Sequence, residues 1–351
     1  MSSDKPAGFH CPMPELNFDT ITLAHGSGGK LTRLLLDSMV IPNLKNPWLD
    51  EQGDGAVLDL NGPVAFSTDS FVVSPLFFPG GCIGDLAVNG TVNDVAMCGA
   101  KPEYLSLSFI IEEGLPVEQF WNILMAVRDA CLNADVKVVT GDTKVVERGK
   151  GDGIFINTTG MGRVHPKAKL ASSRIKAGDK VILSGPLAEH GIAIMSKRKG
   201  LEFESAIVSD TRPLHSITQK LVDVFGKKVH LFRDPTRGGV AAVLHEIALR
   251  NKLGVEIEES GLPVHPEVAG ACEMLGLDPL YIANEGLFLT FASPENADQI
   301  VAEIQNWAFG KQATVIGTIT DEHPGKVLLK STIGGRRVLP DISGEILPRI
   351  C

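Results

Sequence analysis

The chain has 351 residues, more than one core usually serves, so two domains of ordinary size are expected. A hydrophobic share of 44% with 21% charged residues is that of a soluble globular protein and excludes wholesale disorder. With 33 basic against 42 acidic residues the net charge is −9, which argues against nonspecific attraction to nucleic acid or anionic membrane.

Residues 1–19, MSSDKPAGFHCPMPELNFD, mix proline, charge and small residues and read as a flexible N-terminus without the apolar segment of a secretory signal. No run of 18 apolar residues follows. Six cysteines with no Cys-x-x-Cys pair suggest neither a disulfide framework nor a zinc site, so the expected location is the cytoplasm.

Residues 20–168 alternate helical and strand patterns. A glycine loop opens a helix with Leu31, Leu34, Leu35 and Met39 on one face; strands follow at 56–60 and 64–69, a helix at 83–98 and a strand at 103–111. An amphipathic helix at 116–133 and strands at 136–140 and 153–163 complete one α/β domain. The polar segment HPKAKLASSRIKAGDK marks the boundary. A second α/β domain, 169–339, begins with the strand VILSG; helices at 212–225, 238–250, 266–275 and 294–307 alternate with strands at 254–258, 287–292, 313–320 and 326–330. Residues 340–351 have no clear period and read as a mobile tail ending in Cys351.

Five segments carry possible chemistry. AHGSGGKLT at 24–32 is a glycine-rich turn entering a helix, whose amides at Gly26, Ser27, Gly28 and Gly29 suit phosphate, although it is not a Walker A loop and a flexible turn is the plain alternative. Asp54, Asp69, Asp94 and Asp234 sit at strand ends and on a helix face, where hard oxygen donors from different elements suit Mg²⁺; each alone also reads as a cap or turn residue. Asp85, Asn89 and Asn93 form a polar stripe on an apolar helix, which calls for a polar ligand. In VVTGDTKVVERG a strand is expected to end in a Gly-Asp-Thr-Lys turn that offers Asp142 and Thr143 to nucleotide or metal, and Lys144 to a phosphate or to proton transfer. Glu285 precedes an apolar strand and is placed to face a cleft shared by the domains. The fifth segment is the end itself, LPRIC: a tail of twelve residues spans up to about 40 Å at roughly 3.3–3.6 Å each, enough to carry its thiol to another protein and back. Arg349 is expected to lower the thiol pKa slightly.

Taken together, AHGSGGK, STDSFVVSPLFFPGG, GTVNDVAMCGAKPEYLSLSFIIEEGLP, VTGDTKVVERG, RDPTRGGV, ANEG and the final PRIC closely resemble the HypE family of hydrogenase maturation proteins, from about residue 22 to Cys351. The resemblance implies a two-domain α/β fold like that of aminoimidazole ribonucleotide synthetase and selenophosphate synthetase, with a homodimer formed through the first domain. It implies an ATP and Mg²⁺ site in which Asp54, Asp69, Asp94 and Asp234 hold metal and nucleotide beneath the 26–29 loop. Where many relatives carry Asp-Asp-Ala, this chain has Asp54-Gly55-Ala56. The implied reaction is ATP-dependent dehydration of an S-carbamoyl group on Cys351 to S-cyanide, with Lys144 and Glu285 as candidates for proton transfer. The implied partners are the carbamoyltransferase HypF, which loads the thiol, and the HypC and HypD assembly, which takes the cyanide for the iron of NiFe hydrogenase. Two other readings stay open on the residues alone: a synthetase acting on a free small molecule, and a scaffold whose tail only docks partners.

Overall fold

The computed structural model describes residues 13–16, 18–51, 55–201, 207–341, 347 and 349–351. Asp54 lies outside the described residues. A 3₁₀ turn at Leu23–Gly26 leads into α1 (Lys30–Leu35), a π-helical turn at Leu36–Val40, α2 (Ile41–Leu44) and α3 (Pro47–Asp50). There follow β1 (Val64–Phe71), β2 (Phe77–Phe78), β3 (Gly81–Cys82), α4 (Ile83–Met97), β4 (Ala100–Glu112), α5 (Val117–Asn133), β5 (Lys137–Val146) and β6 (Ile154–Val164). The second half runs β7 (Lys180–Leu183), α6 (Glu189–Lys199), α7 (His215–Phe225), β8 (Val229–Arg233), α8 (Gly239–Asn251), β9 (Gly254–Glu258), α9 (Pro266–Leu275), β10 (Leu289–Ala292), α10 (Ala297–Gln305), β11 (Thr314–Thr320), β12 (Val327–Lys330) and β13 (Arg336–Val338).

Among the described residues, the first half forms a four-stranded sheet in the order β1-β6-β4-β5. β4 and β5 are parallel, joined by α5 in a crossover, and the other pairs are antiparallel. Buried Phe109, Phe120, Leu86, Val88 and Leu124 fill the space between this sheet and α4 and α5. The apolar run 83–97 becomes a helix because Cys82 and Asp85 close a reciprocal cap at its start, with Cys82 N–H donating to Asp85 Oδ1 at 2.6 Å. It stops at Gly99, whose φ of +73° an L side chain rarely adopts. On the sheet's other face Phe66 is 65% exposed and Ile110 44% exposed.

Among the described residues, the second half forms a seven-stranded sheet, β13-β12-β9-β11-β7-β10-β8. Its two faces carry separate cores, one with Val240, Leu244 and Ile192, the other with Leu221, Phe232 and Ile300. Helix α4 joins the halves: Asn93 Nδ2 donates to the carbonyls of Arg212 (3.0 Å) and Glu285 (3.2 Å), and its Oδ1 accepts from Leu214 N–H (2.8 Å). Among the described residues no helix is long and apolar enough to cross a membrane.

The structure corrects several expectations. Residues 56–60 form no strand: Val57 is 92% exposed and the segment has no ladder partner, so its alternation lacks the neighbour that makes a sheet. The Gly-Asp-Thr-Lys turn is absent, because β5 continues through residues 141–144, paired with Leu107–Ile110 of β4. Helix α6 and strand β8 were not anticipated. The run GIAIM inside α6 is too short and too uniformly apolar to show a helical period.

Candidate active site

The antiparallel register of β8 with β10 sets Arg233 opposite Leu289, which brings Asp234, just past β8, beside Glu285, just before β10. Asp69 comes from β1 and Asp94 from the last turn of α4, with Asp94 Oδ2 accepting from Ser67 Oγ at 2.7 Å. These four carboxylates line one cavity of about 190 Å³, together with Arg237 and Cys351. Gly90 forms part of the wall, where a Cβ would stand 2.8 Å from Phe71 Cζ and 3.8 Å from Glu285 Oε2.

The carboxylates crowd one another. Burial raises the Asp234 pKa to about 7, and the charge on Asp94 adds to it. Asp94 is raised by burial and by Asp69, and Asp69 is raised by burial although Arg237 stands 3.9 Å away. Glu285 is buried, its Oε1 has no hydrogen-bond partner, and burial with the charges of Asp210, Asp234, Asp69 and Asp94 pushes its pKa well above the carboxylate range. Arg237 alone does not balance four such carboxylates, and a divalent cation would add the positive charge they call for. Among the described residues no three His, Cys, Asp or Glu side chains converge tightly enough to hold a metal alone. Mg²⁺ would need only one or two of these carboxylates and would complete its shell with water and phosphate oxygens.

The end of the chain enters this cavity. Residues 349–351 run antiparallel to 72–74, with Val72 N–H donating to the Cys351 carbonyl (3.1 Å) and Ser74 N–H to the Arg349 carbonyl (3.2 Å). Ile350 and Cys351 are 3% and 6% exposed and belong to the first core. Burial, then the charge on Glu285, pushes the Cys351 thiol up to about 12. The expected help from Arg349 is absent: its guanidinium turns away to the Val72 carbonyl (3.0 Å) and Asp152. The cation beside the thiol is Arg237.

The remaining sequence candidates stand elsewhere. The glycine loop packs on β5, with Ser27 and Gly28 exposed, Gly26 and Gly29 half-buried, and a Cβ on Gly26 would sit 2.4 Å from Val145 N. Asp142 and Lys144 are exposed and paired at 2.5 Å, and Thr143 between them is buried. Since β1 and β5 are opposite edges of the sheet, the loop and Lys144 lie across it from Asp69. Asn93 spends its amide on joining the halves, while Asn89 is buried with Oδ1 lacking a partner. Sequence reasoning missed two residues at the tail. Arg237 sits in RDPTRGGV, where its charge was the available signal, and His190 sits in the unanticipated α6, where nothing marked it.

Residues 52–164 match the model of the AIR synthase related protein, N-terminal domain, and residues 176–330 that of the AIR synthase related protein, C-terminal domain. Carbamoyl dehydratase HypE of Bradyrhizobium diazoefficiens is 47% identical over 333 residues, covering 94% of this chain and 96% of the relative. The chain belongs to the HypE family. A crystal structure of the hydrogenase maturation protein HypE in complex with ATP superposes with a TM-score of 0.91 at 42% identity, over 94% of this chain and 99% of that one. A HypE–HypF complex matches with a TM-score of 0.77 at 41% identity, over 89% and 99%. Membership of the HypE family agrees with the family and the fold expected from the motifs.

Proposed function

We propose that this HypE protein uses ATP to dehydrate a carbamoyl group on the sulfur of Cys351, leaving a cyanide group on that sulfur. The observation that carries the reading is the position of Cys351, which lines the same cavity as Asp69, Asp94, Asp234 and Glu285. The balance is one S-carbamoyl group and one ATP giving S-cyanide, ADP, phosphate and a proton. The amide nitrogen sheds both protons and the carbon–oxygen bond breaks. ATP supplies the phosphoryl group that makes the amide oxygen a leaving group, and Mg²⁺ supplies positive charge at the phosphates. Asp69, Asp94 and Asp234 line the wall from which one or two carboxylates would hold the cation, with water and phosphate oxygens completing its shell. Glu285, beside the sulfur, takes a proton from nitrogen once a cation draws its carboxyl into the ionised form. Arg237 balances negative charge at the tail. Intact mass spectrometry of the carbamoylated chain tests the reading, since ATP-dependent loss of one water, about 18 Da by formula, is required and its absence would overturn it.

The charge cluster gives a pH dependence. The Asp234 carboxyl, at about 7, holds a proton below that pH, and a cation has to displace it. Affinity for Mg²⁺ with nucleotide is therefore expected to weaken by up to about tenfold per pH unit below 7 and to level off above it. Calorimetry at pH 6 and pH 8 measures the difference, and equal affinities would mean that Asp234 is already ionised at pH 6 or does not ligate.

The matched HypE–HypF complex supports HypF as the partner that loads the thiol, and the cyanide would pass to the HypC and HypD assembly. The described cysteines are all free, which supports a cytoplasmic location. The uncovered sheet face bearing Phe66 and Ile110, and the separation of Lys144 from the cavity, support a homodimer. A second copy would lay its own glycine loop and Lys144 over the site. Mixing inactive Lys144→Ala with inactive Asp234→Asn and allowing subunit exchange should then restore about a quarter of full activity, the statistical yield of one intact site in half the dimers. No recovery after proven exchange would place Lys144 in its own subunit's site or outside the chemistry.

A further inference from the structure

The docked tail is held by a buried hydrogen-bond chain that the reaction itself does not use. His190, on α6, is fully buried, and its Nε2 lies 2.8 Å from the carbonyl oxygen of Ile350. A carbonyl only accepts, so Nε2 carries the proton. Nδ1 then accepts from Ser209 Oγ at 2.8 Å, and Ser209 Oγ accepts in turn from the Thr211 hydroxyl (2.6 Å) and backbone N–H (3.1 Å). Every hydrogen in this chain has a direction, ending at the tail. Phe78 holds the imidazole edge-on at 5.6 Å, and Ser209 N–H donates to Pro79 O at 2.8 Å, which pins the segment to the first half of the chain.

The residue after Ser209 holds the facing group. Asp210, 1% exposed, accepts from the backbone N–H of Glu285 (3.0 Å) and of Gly286 (2.9 Å). Neighbouring residues thus fix the tail and the candidate base. We propose that His190 is a positioning residue that latches the Ile350 carbonyl and sets the depth at which the Cys351 sulfur enters the cavity, with Ser209 and Asp210 tying that depth to Glu285. Because the latch reads a backbone carbonyl, it grips the tail equally whether the sulfur is free, carbamoylated or cyanated. The catalytic consequence rests on the dehydratase reading, whereas the latch itself does not.

Alkylation of Cys351 by iodoacetamide in the full chain, followed on the C-terminal peptide to separate it from exposed Cys98, reads docking directly. His190→Leu should speed alkylation by about tenfold, the order expected for one buried hydrogen bond and the carbonyl it leaves unpaired. His190→Gln keeps a donor and should restore most of the protection. In single turnover of the carbamoylated tail, His190→Leu should slow water loss while ATP affinity holds, and His190→Gln should recover the rate. A folded His190→Leu chain with unchanged alkylation overturns the latch. If that variant does not fold, Ser209→Ala decides: alkylation faster by a few-fold supports the latch, and an unchanged rate overturns it. If alkylation responds as expected but even the unsubstituted chain loses no water with ATP, the latch stands and the dehydratase reading falls.

Discussion

Replacing Cys351 with Ala is expected to abolish ATP-dependent water loss altogether while nucleotide affinity stays within about twofold, because the carboxylates come from β1, α4 and the ends of β8 and β10 and do not depend on the sulfur for their placement. Cys351→Ser should fail almost as completely, since a hydroxyl near neutral pH is a far weaker nucleophile than a thiol and would not be loaded. The docked geometry sharpens this expectation. Burial, then the charge on Glu285, pushes the docked thiol up to about 12, which disfavours the thiolate that accepts a carbamoyl group. Loading is therefore expected on an undocked tail, whose exposed thiol ionises more readily. Isothermal titration with a nonhydrolysable nucleotide measures the affinity, and intact mass the chemistry. An alanine variant that still lost water from a carbamoylated product would hand the chemistry to another residue.

How much of this site the sequence revealed depends on what each residue signals. Asp94 stands out because a carboxylate in an apolar helix carries a solvation cost that calls for a partner, and Asp234 is singled out with it as one of four aspartates at strand ends and helix faces. Their meeting with Glu285 was not legible, since it rests on the antiparallel pairing of β8 with β10, and β8 itself is a five-residue strand with two basic residues. Asn93 was read toward a ligand because its stripe was visible, whereas its three partners are backbone groups from residues 119 to 192 positions away, which no local pattern encodes. The GDTK segment reads as a turn because Gly and Asp favour turns, yet nine residue pairs between β4 and β5 override that preference. The tail was legible in composition only. That it ends beneath His190 follows from a hydrogen bond spanning 160 positions.

Asp94→Asn is expected to move activity and stability in opposite directions. The amide has nearly the carboxylate's size and can still accept from Ser67 Oγ, so the local geometry holds. Arg233, which faces the acidic cluster, keeps Glu246 at 2.8 Å. The carboxyl of Asp94 is raised by burial and by Asp69, so its charged form is harder to hold in the folded chain than in the unfolded one. The sign follows: at neutral pH the ionised group subtracts from stability, a cost that vanishes only when it is protonated, and a neutral amide removes it permanently. Without nucleotide, the variant's melting temperature should therefore equal or exceed that of the unsubstituted chain. Turnover should fall by about 10² or more, because the same charge is what a cation at the phosphates requires. Differential scanning calorimetry and phosphate release measure the two quantities on the same preparation. A lower melting temperature together with lost turnover would mean that Asp94 serves the fold through Ser67, and full turnover would remove it from the site.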